Sequence, residues 1–326
     1  MKICLISFDY WGFDKHIVDE LENRDGVEAV HINLHNNFKY TYPNFLYRIK
    51  NFFWKTFLKK NLKAVERHKA IQRLPLERLE QLGPQDCILI IRPDVLDAKT
   101  HKTIKQYTKQ YYAYLYDSTK RFSIEHLPED TFDKIFSFDE EDVKKHNYIP
   151  LCNYIYLPKK DIKPITEFDY NAFIVISADE RLATLNKIAA KMQQLQFKTK
   201  FIVQSTKKLD NLHGTIEVSR QEIRHDQLME YMDQSQVYVD LVRHGHNGLS
   251  FRVFEALAYQ KKLITTNSAI KNYDFYNPDN ILVIDPENIS IDTAFFTTTP
   301  YTPLPESVYN EYTISSWVNK VFFSRL

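Results

Sequence analysis

The stretch Tyr238–Asp285, YVDLVRHGHNGLSFRVFEALAYQKKLITTNSAIKNYDFYNPDNILVID, constrains the fold of this chain more than any other. Val237 to Val242 is a β-branched run, and Arg243 to Ser250 is a polar loop holding Gly245 and Gly248. Phe251 to Tyr259 places Phe251, Phe254 and Ala258, with Val253 and Leu257, at helical spacing. Leu263 to Thr266 and Ile281 to Ile284 are short apolar runs of the kind buried on both faces of a parallel sheet. The order is strand, loop, helix, strand, loop, strand. A βαβ unit of this kind sets the loop and the helix N-terminus at the carboxyl edge of the sheet, where open α/β sheets hold ligands and a helix end favours an anion.

The loop and helix carry candidate chemistry. Arg252 lies in the first helical turn, where a cation opposes the helix dipole unless an anion such as a phosphate answers it. Glu255 follows on the same face and can accept from vicinal hydroxyls, as in a ribose. The plain alternative is an Arg–Glu pair at i, i+3. The surrounding G-x-S-x-R-x-x-E-A-L pattern favours the site, with Glu255 facing a cleft so that its replacement leaves the fold intact.

A chain of 326 residues with 44% apolar and 14% aromatic content can fill two ordinary cores. Its 43 basic and 42 acidic residues nearly cancel, so no overall field points to nucleic acid. Cys4, Cys87 and Cys152 sit in or beside apolar runs without C-x-x-C spacing and read as reduced core residues of a cytosolic protein. Met1–Phe8 reads as a strand, not a leader, and no apolar run approaches the ~20 residues that span a bilayer. Six glycines exclude a multi-glycine phosphate loop, so side chains and helix ends must hold any phosphate. No G-x-G-x-x-G follows either first strand, which argues against a dinucleotide.

The amino-terminal half repeats the α/β alternation. Lys2–Phe8 is a strand, the turn Asp9–Gly12 follows, and Asp14 is expected to cap a helix whose inner face is Ile17, Val18 and Leu21. Tyr10, Trp11 and Phe13 in that turn can stack on a sugar face or simply pack. Further strands are expected at Val27–Leu34, Asp86–Arg92, Tyr111–Tyr116 and Phe132–Phe138, with a helix over Asp97–Gln110 and another opened by Asp139–Asp142. Pro43–Leu74 reads as a helical stretch rich in Lys and Arg, with Glu66 its only acid. Its Phe and Trp residues suit a membrane interface and a lipid-linked acceptor. A core-covering helix with a basic outer face is the alternative, and stands slightly ahead. Leu157–Glu167 reads as a linker, which gives domains at 1–160, joined by the terminal helix 313–326, and at 167–312. In the second, Asn171–Ser177 and Lys200–Gln204 read as strands, and Glu180–Leu195 and Arg224–Met232 as helices. The last helix is placed at Ser315–Phe323, with Trp317, Val321 and Phe322 on its packing side.

The segments Glu255-Ala256-Leu257-Ala258, Lys262-Leu263-Ile264-Thr265-Thr266-Asn267, Tyr273-Asp274-Phe275-Tyr276 and Asn280-Ile281 resemble the donor-binding region of GT-B glycosyltransferases. They are similar to those of a CgeB-like group of bacterial enzymes of lipopolysaccharide or capsule synthesis, and YLYDS…FDKIFSFDEEDVKK resembles the first domain of that group. The resemblance implies a GT-B fold: two Rossmann-like, doubly wound α/β domains facing across a cleft, the last helix crossing back to the first. It gives Glu255 the nucleotide ribose and Arg252 the diphosphate neighbourhood. Asn247 stands where the first Glu of the E-x7-E motif would fall, and it can donate to a sugar hydroxyl but cannot act as a base.

These readings converge on a glycosyltransferase that moves a sugar from a UDP-, GDP- or similar donor to a surface glycan or lipid-linked acceptor. It would work in the cytoplasm or at the inner face of its membrane, with no nucleic acid partner. A sugar- or polyol-phosphate transferase on the same scaffold and a nucleotide-sugar-binding protein without turnover remain alternatives. The expected donor-site residues are Glu255, Arg252, Ser250, Gly248, Asn247, His246, Arg181 and Ser177, the last two at a helix N-terminus that can seat a phosphate. Should transfer invert the anomeric centre, Asp117 is the expected base, with Asp14 and Asp9 in reserve. No tightly bound cofactor is expected, and no metal, because His244 and His246 supply only two ligands.

Overall fold

The computed structural model describes residues 1–35, 44–57, 62–245 and 247–324. They form two compact units: Met1–Leu151 together with Val318–Leu326, and Cys152–Trp317. Among the described residues no helix is long and apolar enough to cross a membrane.

The first unit runs β1 (Lys2–Ser7), α1 (Lys15–Glu22), β2 (Glu28–Asn33), α2 (Phe45–Phe57), α3 (Leu62–Leu82), β3 (Gln85–Ile91), α4 (Ala98–Ile104), β4 (Thr108–Leu115), β5 (Lys134–Ser137), α5 (Glu140–His146) and β6 (Ile149–Pro150). Its sheet has the order β2-β1-β3-β4-β5-β6 with every pair parallel. Ile3 lies between Ala29 and Cys87 in register, on an inner strand of a sheet built from buried apolar runs. The cysteines carry no disulfide, and burial pushes the Cys4 thiol up to about 12.

The second unit runs β7 (Tyr170–Ser177), α6 (Leu182–Gln194), β8 (Thr199–Gln204), β9 (Ile216–Ser219), α7 (His225–Asp233), β10 (Ser235–Asp240), α8 (Phe251–Ala258), β11 (Lys262–Thr265), β12 (Ile281–Val283), α9 (Ala294–Thr297), α10 (Glu306–Glu311) and α11 (Ile314–Val318). Its sheet, β12-β11-β10-β7-β8-β9, is again parallel throughout. Alternation divides its core by face. Ala172, Ile174, Val237 and Val239 pack with Leu185, Ile188 and Met192 of α6, whereas Phe173 and Tyr238 pack with Val253, Phe254 and Leu257 of α8. The two-sheet α/β architecture expected from the sequence is what forms.

Several local expectations change. Asp14 does not cap α1 with its side chain. Gly12 takes a left-handed turn (φ 80°), which folds the loop back so that Asp9 accepts from the Gly12 and Lys15 amides at 2.7 and 3.3 Å. The helix expected over Asp97–Gln110 ends at Ile104, and Gln110 belongs to β4. Within Pro43–Leu74 the described residues form α2 and the start of α3, and its residues 43 and 58–61 lie outside those described. The last helix is α11 followed by a wider π-helical turn over Asn319–Phe323, with Trp317, Val321 and Phe322 buried as expected. The stretch 157–167, read as a linker, is held to the second unit: Lys160 and Lys163 pair with Asp233 at 2.8 and 2.6 Å.

Candidate functional site

The carboxyl edge of the second sheet gathers polar side chains from three strand ends. Asp240, the last residue of β10, is buried and accepts from Ser250 Oγ and Thr265 Oγ1, both at 2.8 Å. Ser250 in turn caps α8, its Oγ taking the Arg252 amide at 3.2 Å. Asn267 donates to the carbonyls of Asn247 and Gly248 at 3.2 and 3.1 Å and so fixes the loop that precedes the helix. Ser250, Gly248 and Asn247 are therefore at the strand edge where the sequence placed them. His246 lies outside the described residues.

Beside this framework two guanidinium groups share one carboxylate. Arg181 grips Asp179 through Nε at 2.8 Å and Nη2 at 2.6 Å, and donates from Nη1 to the Leu241 carbonyl at 3.2 Å. Arg243 reaches the same Asp179 Oδ2 through Nε and Nη2, both at 3.2 Å. Burial alone would raise the Asp179 carboxyl, but the Arg181 bonds and charge, with Arg243, hold it below its ordinary value. Asp179 is thus ionised, and the trio carries one surplus positive charge. It lies at the N-terminus of α6, with Ser177 exposed at the end of β7. Two fixed forks, an exposed hydroxyl and a helix end are groups of the kind that bind anions. Sequence reasoning passed over Arg243; the available signal was its place directly after a buried strand, in the loop of Gly245 and Gly248.

Arg252 and Glu255 are turned elsewhere. Arg252 Nη1 lies 2.9 Å from Glu255 Oε2, a close ion pair whose angle does not make a hydrogen bond. The Arg252 guanidinium sits over the rings of Phe173 and Tyr238 at 5.1 and 5.8 Å. Tyr156 donates to Glu255 Oε1 at 2.6 Å. Glu255 is 3% exposed, so the expectation that it can be replaced without harm to the fold does not hold. Its carboxylate answers a half-buried cation and a half-buried phenol.

The first unit has its own polar edge. Ser7 Oγ and His31 Nε2 are 2.8 Å apart, and Asn33 donates to the Asp9 carbonyl at 3.0 Å. Asp14 is buried among them, and its Oδ2 meets no hydrogen-bond partner. Burial first, then the charge of Asp9, pushes its pKa up to about 7, against a lowering by the Ser7 hydroxyl. Burial also lowers the His31 imidazole from its ordinary value, against the raising charge of Asp9. Asp117, in contrast, accepts from the Ser118 amide at 3.0 Å and from Arg121 Nη1 at 2.7 Å. The Asp117 carboxylate is thus engaged by a cation, whereas Asp14 keeps an oxygen without a hydrogen-bond partner. Among the described residues no group of three or more His, Cys, Asp or Glu side chains is placed to hold a metal ion.

No protein-family model and no curated protein matches the sequence. Solved structures do match in fold. A UDP-forming α,α-trehalose-phosphate synthase from Burkholderia xenovorans superposes with a TM-score of 0.56 at 11% identity, over 98% of this chain and 97% of that one. The UDP-GlcNAc 2-epimerase of Neisseria meningitidis, bound to UDP-GlcNAc, gives 0.50 at 9% identity over 98% of both chains. An α-glucosyltransferase in complex with UDP and a 13-mer DNA gives 0.52 at 10% identity, over 88% and 87%. Identities this low establish the fold, which is of the GT-B type.

Proposed function

We propose that this protein is a glycosyltransferase that takes a sugar from a nucleotide-sugar donor bound on its second unit. The observation that carries the reading is the Arg181–Asp179–Arg243 group at the carboxyl edge of β7 and β10. Its surplus charge suits a nucleoside diphosphate, and it would stabilise the negative charge that develops on that leaving group as the glycosidic bond breaks. UDP in two of the fold relatives supports a uridine donor. The likeness of the Glu255–Asn267 stretch to lipopolysaccharide and capsule enzymes supports a surface glycan as acceptor, built on the cytoplasmic side of the membrane. For an inverting transfer, Asp117, Asp14 and Asp9 are the candidate bases for the acceptor hydroxyl; burial and the charge of Asp9 raise the Asp14 carboxyl to about 7, and its unpartnered oxygen is enclosed.

A thermal-shift series with UDP, GDP and their sugars tests the donor. A binder at a hundred times its Kd should stabilise the fold by about 2.7 kcal/mol. The shift should fall to about 0.3–1.3 kcal/mol in Arg243→Ala. If no nucleotide or nucleotide sugar moves the melting temperature, the reading fails. Donor consumption with and without added glycan then separates transfer from binding alone, and from a sugar-phosphate transferase, whose products retain a phosphodiester.

A further inference from the structure

We propose that α2 is a docking surface for anionic lipid bilayers, and that it lies in the plane of the headgroups. Of fourteen large apolar side chains exposed among the described residues, six belong to this one helix: Phe45, Leu46, Tyr47, Ile49, Phe52 and Phe53. Phe45 and Leu46 are each 72% exposed, Phe52 66% and Phe53 52%. At about 100° per residue, Phe52, Phe45, Ile49, Phe53 and Leu46 fall on a single arc of about 120°. The half-buried residues, Asn51 and Trp54, lie on the opposite side, together with Tyr47, which is 42% exposed. The apolar stripe is therefore presented outward, and a contiguous exposed stripe of this kind marks an interaction site.

Charge identifies the occupant. Lys50 borders the stripe on one flank, Arg48 and Lys55 on the other, and Phe45–Phe57 contains no acidic residue. Apolar residues between two basic margins match a bilayer surface with acidic headgroups, into which aromatic side chains sink while the cations meet phosphates. A second copy of the chain fits poorly, since joining two such stripes brings like charges together. With thirteen residues the helix is too short to cross a bilayer, so it rests on one. This inference stands apart from the reading of the donor site and would survive its failure.

Vesicle co-sedimentation provides the test, with phosphatidylcholine alone against phosphatidylcholine containing phosphatidylglycerol. The full chain should pellet with the second, release as salt is raised, and bind the first weakly. A triple reversal, Arg48→Glu, Lys50→Glu and Lys55→Glu, should lower the anionic partition by at least about a hundredfold. A second variant, Phe45→Ser, Ile49→Ser and Phe52→Ser, should abolish it while thermal melts stay unchanged, because these side chains are exposed. Failure to bind anionic vesicles, equal binding to both vesicle types, or undiminished binding by either variant would overturn the proposal. So would a dimer in solution that the Ser variant converts to monomer without any vesicle binding.

Discussion

A carboxyl group packed away from solvent beside a second carboxylate keeps its proton longer than its neighbours do. Asp14 is such a group, raised to about 7, whereas an unfolded Asp ionises near pH 4. The sign follows: its contribution to stability is complete below about pH 4 and is lost as pH rises towards 7, at a limiting slope on the order of 1.4 kcal/mol per pH unit. Asp14→Asn keeps the shape and cannot ionise, so the gap between variant and wild type should open over that window. Parallel denaturant series at pH 4 and pH 7 that show a constant gap would refute the assignment. A second residue-scale expectation concerns the buried pair. Glu255→Ala strands Arg252 over two aromatic rings and should cost about 3–5 kcal/mol of stability. Arg243→Ala, one-third exposed, should leave the melt nearly unchanged and weaken nucleotide binding by about 1.5–3 kcal/mol. If the two variants exchange phenotypes, Glu255 is the donor contact and Arg243 is structural. The sequence made Glu255 conspicuous through its motif but left the side chain's direction open, because an i, i+3 pair looks alike whether it faces a ligand or the sheet. Asp9 and Asp14 were confused for a similar reason. Both flank one turn, and only the left-handed Gly12 decides which carboxylate swings back to the helix.

At the scale of elements, α8 is tied to the carboxyl edge of its sheet through its cap: Ser250 also donates to the buried Asp240. Ser250→Ala removes both bonds, leaving Asp240 with one hydroxyl donor from Thr265. The expected cost is about 1–2 kcal/mol, read as a lower denaturation midpoint at unchanged m-value. A loss below a few tenths would mean that Ser250 does little but face the site. Elements like α8 and β10 were legible because their apolar period and length are unambiguous. β9 was not, since Ile216–Ser219 is a sheet edge with a single buried side chain and so carries no alternation to detect. The end of α4 was misjudged because Lys-Gln-Tyr-Thr-Lys-Gln suits a helix by composition, and pairing with β3 draws Thr108–Gln110 into the sheet instead.

At the scale of the whole molecule, the second unit is continuous in the chain and the first is not, because Val318–Leu326 folds with Met1–Leu151. Val318, Val321 and Phe322 are buried, Arg24 donates to Asn319 Oδ1 at 2.5 Å, and the same guanidinium lies 4.9 Å from the centre of the Phe323 ring. Each buried apolar side chain of this size contributes about 1.5–3 kcal/mol. The first unit is thus closed by a segment that follows the second unit in the chain, and it reaches full stability only when that segment is in place. Deleting residues 319–326 should lower protection from hydrogen exchange across β1, α1 and β2, while β7, β10 and β11 keep theirs, since their sheet and its two apolar faces are built entirely from residues before 318. Arg24→Ala should reproduce a fraction of the effect by removing one bond and one ring contact. Equal loss in both sheets, or none in either, would show that the last residues do not close the first unit.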